Sequence, residues 1–338
     1  MDDRSLRGSV PEIRRAIRQV VERAGPASLC LWTFLLGTLL LYMQVAGWPV
    51  GTRIPAAIAF AWLLVPFVAL ADEGAVTRLR ALPGSPRRQA GWGVLGLLLP
   101  GLLGLGLAPS HAALSVAVAP VYLLLPALLL ARPGLPDRLT ALDTVALVLL
   151  WLPPDLGLLP SPLAKLLALD MTLYLFLVVR RLEGVGYRYR LSPRDLRAAL
   201  TNTLAFGALA IPLGLATGFL AFAPGRSGWT DLFFRMVAVY FAVALPEEVL
   251  FRGILLTLLR RTFRRRGPTA ALLLSSGLFG LAHWKERDWR YMVLAALAGI
   301  FYGRTFLETG SVIASALTHG LVDFLWGLLF RTQWAGRA

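Results

Sequence analysis

The chain is a succession of long apolar runs, and this feature limits its fold more than any other. The runs cover about residues 27–47, 54–71, 90–108, 111–131, 140–158, 161–179, 198–222, 230–259, 268–284, 291–307 and 312–330. Most are close to the roughly 20 residues that a helix needs to cross a bilayer. Because lipid offers the backbone no hydrogen bonds, such a chain crosses the membrane as helices. We therefore predict an all-α, polytopic transmembrane helical bundle of about eleven spans.

Arginine-rich segments between the runs indicate the orientation of the protein. The strongest is Arg260-Arg261-Thr262-Phe263-Arg264-Arg265-Arg266, which the positive-inside rule places in the cytoplasm. Counting alternately from it places the N-terminus inside, together with the arginine groups at 78–88, 132–138 and 180–197, whereas Lys285, Arg287 and Arg290 fall outside. We expect a multi-pass protein of the cell membrane with a cytoplasmic N-terminus.

The net charge of +15 does not indicate nucleic-acid binding, since no soluble segment is long enough for a reader domain. The lipid bilayer is the partner that the sequence predicts first.

The pattern of apolar runs and arginine groups divides the chain into three regions. Residues 1–26 predict a basic amphipathic helix on the inner leaflet, because a capping-box pattern at Ser9 to Glu12 precedes apolar residues at helical spacing among arginines. Residues 27–195 form an N-terminal transmembrane region for which the sequence indicates no role, and residues 196–338 form the third region.

Two adjacent carboxylates and an arginine lie inside the run at 230–259, in Leu245-Pro246-Glu247-Glu248-Val249-Leu250-Phe251-Arg252-Gly253. Ionisable residues at such depth are functional-site hypotheses by default. Glu248 and Arg252 are four residues apart and share a helix face, which predicts an ion pair. Glu247 points about 100° away and stays available. Pro246 cannot donate a backbone hydrogen bond, so the helix is expected to open beside Glu247.

Two of the three histidines lie in the last apolar runs. His283 ends Phe279-Gly280-Leu281-Ala282-His283, and the four-residue spacing of His319 and Asp323 puts them on one helix face. At about 1.5 Å per residue from the inner boundary, Glu247 lies about 20 Å deep, His283 about 22 Å, Asp323 about 17 Å and His319 about 10 Å. All four depths fall within a hydrocarbon core of about 30 Å, so one water-containing cavity is predicted.

The ordered motifs Glu247-Glu248-x-x-x-Arg252, Phe279-x-x-x-His283 and His319-x-x-x-Asp323 resemble those of the CAAX-protease and bacteriocin-processing (CPBP, or Abi) family of intramembrane endopeptidases. The linking stretch Gly299 to Arg304 is similar as well. The resemblance covers about residues 200–330, so we interpret residues 196–338 as a CPBP-like intramembrane protease core. It implies hydrolysis of a peptide bond in a membrane-associated protein or peptide, by CAAX-type or bacteriocin-type processing.

The resemblance implies catalytic roles by position. Glu247 would activate a water that His283 helps to hold, Glu248 and Arg252 would organise the site, and His319 and Asp323 would stabilise the oxyanion. These roles suit amide hydrolysis, which needs a general base, an oriented water and donors aimed at the developing negative charge.

Asp323 departs from the family pattern, in which asparagine is usual. An ionised aspartate repels an oxyanion, so Asp323 is expected to be protonated, to orient His319, or to bind a metal. Two histidines and a carboxylate form a common zinc set, and Glu247, His283 and His319 are the alternative ligands. Because no tight metal-binding spacing is present, we favour glutamate chemistry without a cofactor and keep zinc as the alternative.

Two non-enzymatic hypotheses stay open. One is an immunity or binding protein that keeps the fold, motivated by Asp323 and the extra spans. The other is a transporter that uses the buried carboxylates as a proton or ion relay.

Overall fold

The computed structural model describes residues 26–105, 112–159, 163–225, 228–265, 267–286 and 288–332. The predicted amphipathic helix therefore lies outside the described residues, apart from Pro26, where the first helix begins. The chain forms two compact units. The boundary between them falls at Glu183 and Gly184, within the polar segment 180–197.

The first unit comprises Met1–Pro136 and Thr140–Glu183. Its described helices are α1 (Pro26–Val45), α2 (Val50–Ala69), α3 (Glu73–Arg80), α4 (Pro86–Leu105), α5 (Ala112–Leu130), α6 (Ala141–Asp155) and α7 (Ala164–Leu173), which continues as a π-helical turn, Tyr174–Val179. Every residue of α7 from 167 to 179 is buried. A helix that is apolar and buried on all sides lies at the centre of its unit, with the other helices around it.

A buried ion pair stabilises the start of α6. Thr140 and Asp143 form a capping box, and the Asp143 carboxylate also accepts from Arg180, with 3.0 Å between Nε and Oδ1. The capping box and the arginine together satisfy a carboxylate that is completely buried.

The second unit comprises Asp137–Leu139 and Gly184–Ala338. Its helices are α8 (Pro193–Ala216), α9, which runs without a break through Trp229–Ala238, Val239–Ala244, Leu245–Glu248, Val249–Leu256 and Thr257–Thr262, α10 (Gly267–Ala282), α11 (Trp289–Thr309) and α12 (Val312–Leu329). The core of this unit lies between α8, α9, α10, α11 and α12, and aromatic residues such as Phe206, Phe279 and Tyr302 fill it.

Helix α9 accommodates Pro246 with π-helical turns on both sides. The turns cover Val239–Ala244 and Val249–Leu256, and the Leu245 amide donates five residues back, to the Tyr240 carbonyl. A proline cannot donate to the carbonyl four residues before it, so wider turns keep the helix continuous at the position where the sequence predicts that it opens. Such turns are frequent at functional sites, and these two flank Glu247 and Glu248.

Two short strands are an addition to the predicted all-α fold. β1 (Leu220–Phe222) and β2 (Phe330–Thr332) pair antiparallel, with Leu220 opposite Thr332 and Phe222 opposite Phe330. β1 lies at the end of the run at 198–222, and β2 begins at the last residue of the run at 312–330, where the sequence predicts helix. Gly218, with a φ of 65°, turns the chain after α8. The backbone that leaves the helix then finds its hydrogen-bond partners in the segment that follows α12.

Each of the eleven apolar runs contains a helix. In the part of the chain that the structure describes, four helical segments are long and apolar enough to cross a membrane, namely Ser28–Val45, Val50–Ala69, Pro193–Ala216 and Val312–Leu329. A multi-pass helical membrane protein fits these observations, and the count of eleven spans stays a prediction.

Candidate active site

Glu248 is the centre of a buried polar cluster in the second unit. Its Oε1 accepts from Arg252 Nη1 at 2.9 Å and lies 3.0 Å from His319 Nδ1, while Oε2 accepts from Ser315 Oγ at 2.6 Å. The side chains of Glu248 and Arg252 are 0% exposed, and that of His319 is 4% exposed. The predicted ion pair between Glu248 and Arg252 is therefore confirmed, and three partners hold this carboxylate in place.

Arg252 joins α9 to α11. Its Nη2 donates to the Gly299 carbonyl at 3.0 Å, and its guanidinium carbon lies 4.6 Å from the centre of the Phe279 ring and 5.4 Å from that of Tyr302. A Cβ on residue 299 would lie 3.2 Å from Nη2, so glycine allows this close approach. Aromatic faces attract a desolvated cation, and the ring contacts add to the hydrogen bonds.

His319 is held on all sides. Its ring stacks on Tyr302 with 4.5 Å between centroids and 17° between planes, and it meets Phe279 edge-on at 5.6 Å. Nε2 lies 3.2 Å from Asp323 Oδ2, so both ring nitrogens face carboxylate oxygens. Ionised carboxylates only accept hydrogen bonds, and an imidazolium donates from both nitrogens. Arg252 and a protonated His319 would balance the charges of ionised Glu248 and Asp323, as burial of charges requires.

Ser315 was missed by the sequence interpretation. It lies four residues before His319 on α12, and Asp323 lies four residues after, so the three side chains share one helix face. Its hydroxyl lies within hydrogen-bond distance of the Glu248 carboxylate and of the Tyr302 carbonyl, 2.7 Å away. The sequence does carry a signal for it: Ser315 lies one helical turn before His319, at the same four-residue spacing that separates His319 from Asp323.

Glu247 and His283 stand outside this hydrogen-bonded cluster. Glu247 is half-buried and forms no hydrogen bond or ion pair with the residues that the structure describes. His283 directly follows α10, with Nδ1 2.9 Å from the Phe279 carbonyl and its ring edge-on to Tyr291 at 5.0 Å. A carbonyl only accepts, so Nδ1 carries the hydrogen, and in the neutral ring Nε2 keeps a lone pair for a water or another ligand.

Phe279 links these residues to the cluster. Its ring contacts His283 at 4.9 Å and His319 at 5.6 Å and lies beneath the Arg252 guanidinium. The second unit therefore brings Glu248, Arg252, His319 and Asp323 together through direct bonds and places His283 against the same aromatic ring.

The alternative zinc ligands fit the geometry poorly at His319. Within the described ranges, no group of three or more histidine, cysteine, aspartate or glutamate side chains is arranged to hold a metal ion. His319 uses one nitrogen toward Glu248 and the other toward Asp323, so it would have to release one of them to bind zinc. His283 Nε2 forms no hydrogen bond or ion pair with the described residues.

The three motifs and the buried Glu248 cluster occupy one continuous part of the second unit, from α9 to α12. Residues 228–325 match the family model "Type II CAAX prenyl endopeptidase Rce1-like". The predicted CPBP family is confirmed for this segment. The Rce1-like segment contains all six predicted site residues, and it implies CAAX-type intramembrane protease activity at a lipid bilayer.

The match does not extend to residues 1–227. Comparisons of the chain with curated proteins and with solved structures gave no match.

Proposed function

We propose that the Rce1-like segment is an intramembrane endopeptidase in which Glu247 activates the water that cleaves a peptide bond of a membrane-associated protein or peptide. The observation that carries this proposal is the different environment of the two adjacent glutamates. Glu248 is fully buried and bonded to Arg252, Ser315 and His319, whereas Glu247 is half-buried without a hydrogen bond to any described residue. A general base needs a carboxylate with a free lone pair that water can reach, and of the two adjacent glutamates Glu247 is the one that offers it.

In the proposed reaction Glu247 accepts a proton from a water that the Nε2 lone pair of His283 helps to orient. The resulting hydroxide adds to the carbonyl carbon of the scissile bond, and the carbonyl oxygen becomes an oxyanion. Glu247 then returns the proton to the leaving amine as the carbon–nitrogen bond breaks, which releases a carboxylate and an amine.

His319 is the proposed oxyanion donor. Its Nδ1 hydrogen bonds to buried Glu248, which fixes the ring, while its Nε2 faces Asp323, the most exposed member of the cluster. As the oxyanion forms, the Nε2 hydrogen transfers its hydrogen bond from Asp323 to the substrate oxygen. Asp323 thus orients His319 before substrate binds, which is one of the three roles that the sequence left open for it.

Glutamate chemistry is preferred to zinc because no group of three or more histidine, cysteine, aspartate or glutamate side chains among the described residues is arranged to hold a metal ion. In a zinc site with Glu247, His283 and His319 as ligands, the metal would supply the charge that polarises the water and the carbonyl. A zinc ion binds the lone pair of an imidazole nitrogen, so His319 would have to lose a proton from one of the two nitrogens that face carboxylates, whereas as an oxyanion donor it keeps both N–H groups.

The proposal is tested by cleavage of a library of membrane peptides, prenylated and unprenylated, by the purified protein in detergent. We expect Glu247→Gln to lose cleavage while it purifies and melts like the wild type. Glu308→Gln is the matched control, since Glu308 is a 45%-exposed carboxylate of the same unit that pairs with Arg304. It should cleave normally.

Each sample is also treated with a strong zinc chelator. Cleavage by the wild type should persist. Loss on chelation with recovery in zinc would overturn the glutamate mechanism, and equal cleavage by Glu247→Gln and wild type would overturn the role of Glu247.

A further inference from the structure

The imidazole ring of His319 is held at both of its nitrogens and is stacked on an aromatic ring. Nδ1 lies 3.0 Å from Glu248 Oε1, and Nε2 lies 3.2 Å from Asp323 Oδ2. The third contact is the ring of Tyr302, with 4.5 Å between centroids and 17° between planes. Tyr302 lies on α11 and is 2% exposed. It is therefore a direct neighbour of the proposed oxyanion donor, and the sequence pattern indicates no role for it.

The stacked ring sets an angle that the two hydrogen bonds leave free. The torsion between the Cβ atom and the ring of a histidine has a broad energy profile, so its value depends on what surrounds the ring. Hydrogen bonds at the two nitrogens fix two points of the imidazole, but the ring can still tilt about the line that joins the two carboxylates. A flat neighbour at 17° to the ring plane prevents this tilt. Tyr302 therefore fixes the ring plane of His319.

Tyr302 is itself held through its backbone and its ring. Its carbonyl oxygen lies 2.7 Å from Ser315 Oγ, and the same hydroxyl lies 2.6 Å from Glu248 Oε2. One hydroxyl group thus joins Glu248 and Tyr302, the two residues that support His319 from below Nδ1 and from the ring face. The Tyr302 ring also packs on Phe279 at 5.9 Å. A support that is locked by packing and hydrogen bonds can keep a catalytic group close to its productive geometry.

An aromatic face also suits the charges around it. Arg252 Nη1 and His319 Nδ1 converge on the same oxygen, Glu248 Oε1, at 2.9 Å and 3.0 Å. The centre of the Tyr302 ring lies 5.4 Å from the guanidinium carbon and 4.5 Å from the centre of the imidazole. The face of an aromatic ring attracts cations, and more strongly where water is excluded. Leucine would fill much of the same space without this attraction and without a flat surface.

From these contacts we propose that Tyr302 is the positioning residue of His319. This inference rests on the proposed function, in which the Nε2 hydrogen leaves Asp323 for the substrate oxygen. At that step one of the two hydrogen bonds of the ring is exchanged, and the bond to Glu248 and the Tyr302 stack keep Nε2 directed at the oxyanion. The stack thus acts when the oxyanion forms and not when substrate binds. Loss of the Tyr302 ring lowers kcat and leaves KM nearly unchanged.

The test is the peptide-cleavage assay on a peptide that the wild type cleaves. Tyr302→Phe keeps the ring face and should cleave with a kcat close to that of the wild type. Tyr302→Leu should lower kcat by at least about tenfold, since small displacements of a catalytic group are costly. Phe301→Leu is the matched control, because Phe301 is the preceding residue, is 6% exposed and packs on Phe206 at 5.9 Å. It should lose a similar amount of thermal stability and keep its kcat.

A wild-type kcat in Tyr302→Leu, or a loss that appears in KM alone, would overturn the inference. So would an equal fall of kcat in Tyr302→Phe, because the hydroxyl and not the ring face would then be responsible. An equal fall in Phe301→Leu would overturn it as well, because the effect would then come from lost packing in general. If Tyr302→Leu does not purify as a monodisperse protein, Tyr302→Met takes its place, with the same expected and contrary results.

An NMR measurement on the protein without substrate separates this inference from the proposed function. Histidine labelled with carbon-13 gives few ring signals, since the chain has three histidines, and His319→Gln identifies the signal of His319. The ring current of a stacked aromatic ring shifts the signals of its neighbour upfield. The His319 signal should therefore lie upfield in the wild type and in Tyr302→Phe, and move downfield in Tyr302→Leu. An unchanged signal in Tyr302→Leu would overturn the inference.

The two proposals therefore fail separately. If the NMR signal moves as expected and no preparation cleaves any peptide, the proposed function is removed, and Tyr302 still fixes the ring of His319. Normal, Glu247-dependent cleavage with a wild-type kcat in Tyr302→Leu would remove the role of Tyr302 alone.

Discussion

Replacing Arg252 with methionine is expected to destabilise the second unit strongly. Arg252 is 0% exposed and donates to Glu248 at 2.9 Å and to the Gly299 carbonyl at 3.0 Å. Methionine fills similar space but leaves the Glu248 carboxylate short of its main counter-ion and the carbonyl without a donor. Removing one partner of a buried ion pair costs about 3–5 kcal/mol. For a unit of this size that corresponds to a fall in melting temperature of roughly 6–20 °C.

The assay is thermal unfolding in detergent, followed by intrinsic tryptophan fluorescence. Arg304→Met is the control, because Arg304 is 53% exposed and its 3.7 Å pair with Glu308 is a surface contact, worth about 0–1 kcal/mol. The double variant Glu248→Gln/Arg252→Met should recover at least half of the loss, since glutamine carries no charge and keeps both contacts: its oxygen accepts from His319, and its amide nitrogen donates to Ser315 Oγ, whose hydroxyl then donates to the Tyr302 carbonyl. The reasoning is refuted if Arg252→Met melts with the wild type, or if the double variant melts below the single one.

Four further predictions follow from other contacts. Asp323→Asn, which restores the usual family residue, should keep cleavage within about tenfold of wild type, because the amide oxygen still accepts from His319. Asp323→Leu has no acceptor and should lose more cleavage. Equal cleavage rates for the two variants in a peptide-cleavage assay would contradict this. Ser315→Ala removes a hydrogen bond to a buried carboxylate and should lower stability by about 1.5–3 kcal/mol in thermal unfolding, and an unchanged melting curve would count against it. Gly299→Val should lower the stability of the second unit by about 1–3 kcal/mol in thermal unfolding, because a Cβ on residue 299 would lie 3.1 Å from Ser276 and 3.2 Å from Arg252. Gly299→Ala, which adds the Cβ alone, should cost less. In the first unit Asp143→Ala leaves Arg180 buried without its carboxylate and should cost about 3–5 kcal/mol, so wild-type melting would contradict the role of that pair.

The helices and the central ion pair were predictable because they depend on local spacing. Apolar runs of the right length specify helices wherever they occur, and the four-residue separation of Glu248 and Arg252 places them on one face in nearly any helical geometry. The motif order likewise depends only on the chain and agrees with the Rce1-like match at residues 228–325.

Depth along the helices was predicted less well. Counting from presumed boundaries placed His319 about 10 Å deep and Glu247 about 20 Å. In the structure His319 Nδ1 lies 3.0 Å from the Oε1 of neighbouring Glu248, so the two helices meet at one level. The counting assumed that all helices begin at one plane. In the structure α9 continues for fourteen residues beyond Glu248, to Thr262, whereas α12 begins only seven residues before His319, at Val312.

Features that depend on tertiary contacts were not predictable from the sequence. The pairing of β1 with β2 joins segments that are far apart in the chain, and apolar periodicity reports neither this pairing nor the π-helical turns around Pro246. The spacing on α12 places Ser315 on the face of His319 and Asp323, but its hydrogen bond to Glu248 depends on α12 packing beside α9, which the sequence does not specify.

The central claim is that Glu247 activates the hydrolytic water without a metal. The most direct measurement is mass spectrometry of the products formed in oxygen-18 water by chelator-treated wild type and by Glu247→Gln, on a peptide that the library identifies. The account predicts that the wild type yields a fragment whose new C-terminal carboxylate carries one oxygen-18 atom, and that Glu247→Gln yields none of this fragment. Labelled product from Glu247→Gln at the wild-type rate, or its absence from the chelated wild type with return on adding zinc, would contradict the claim.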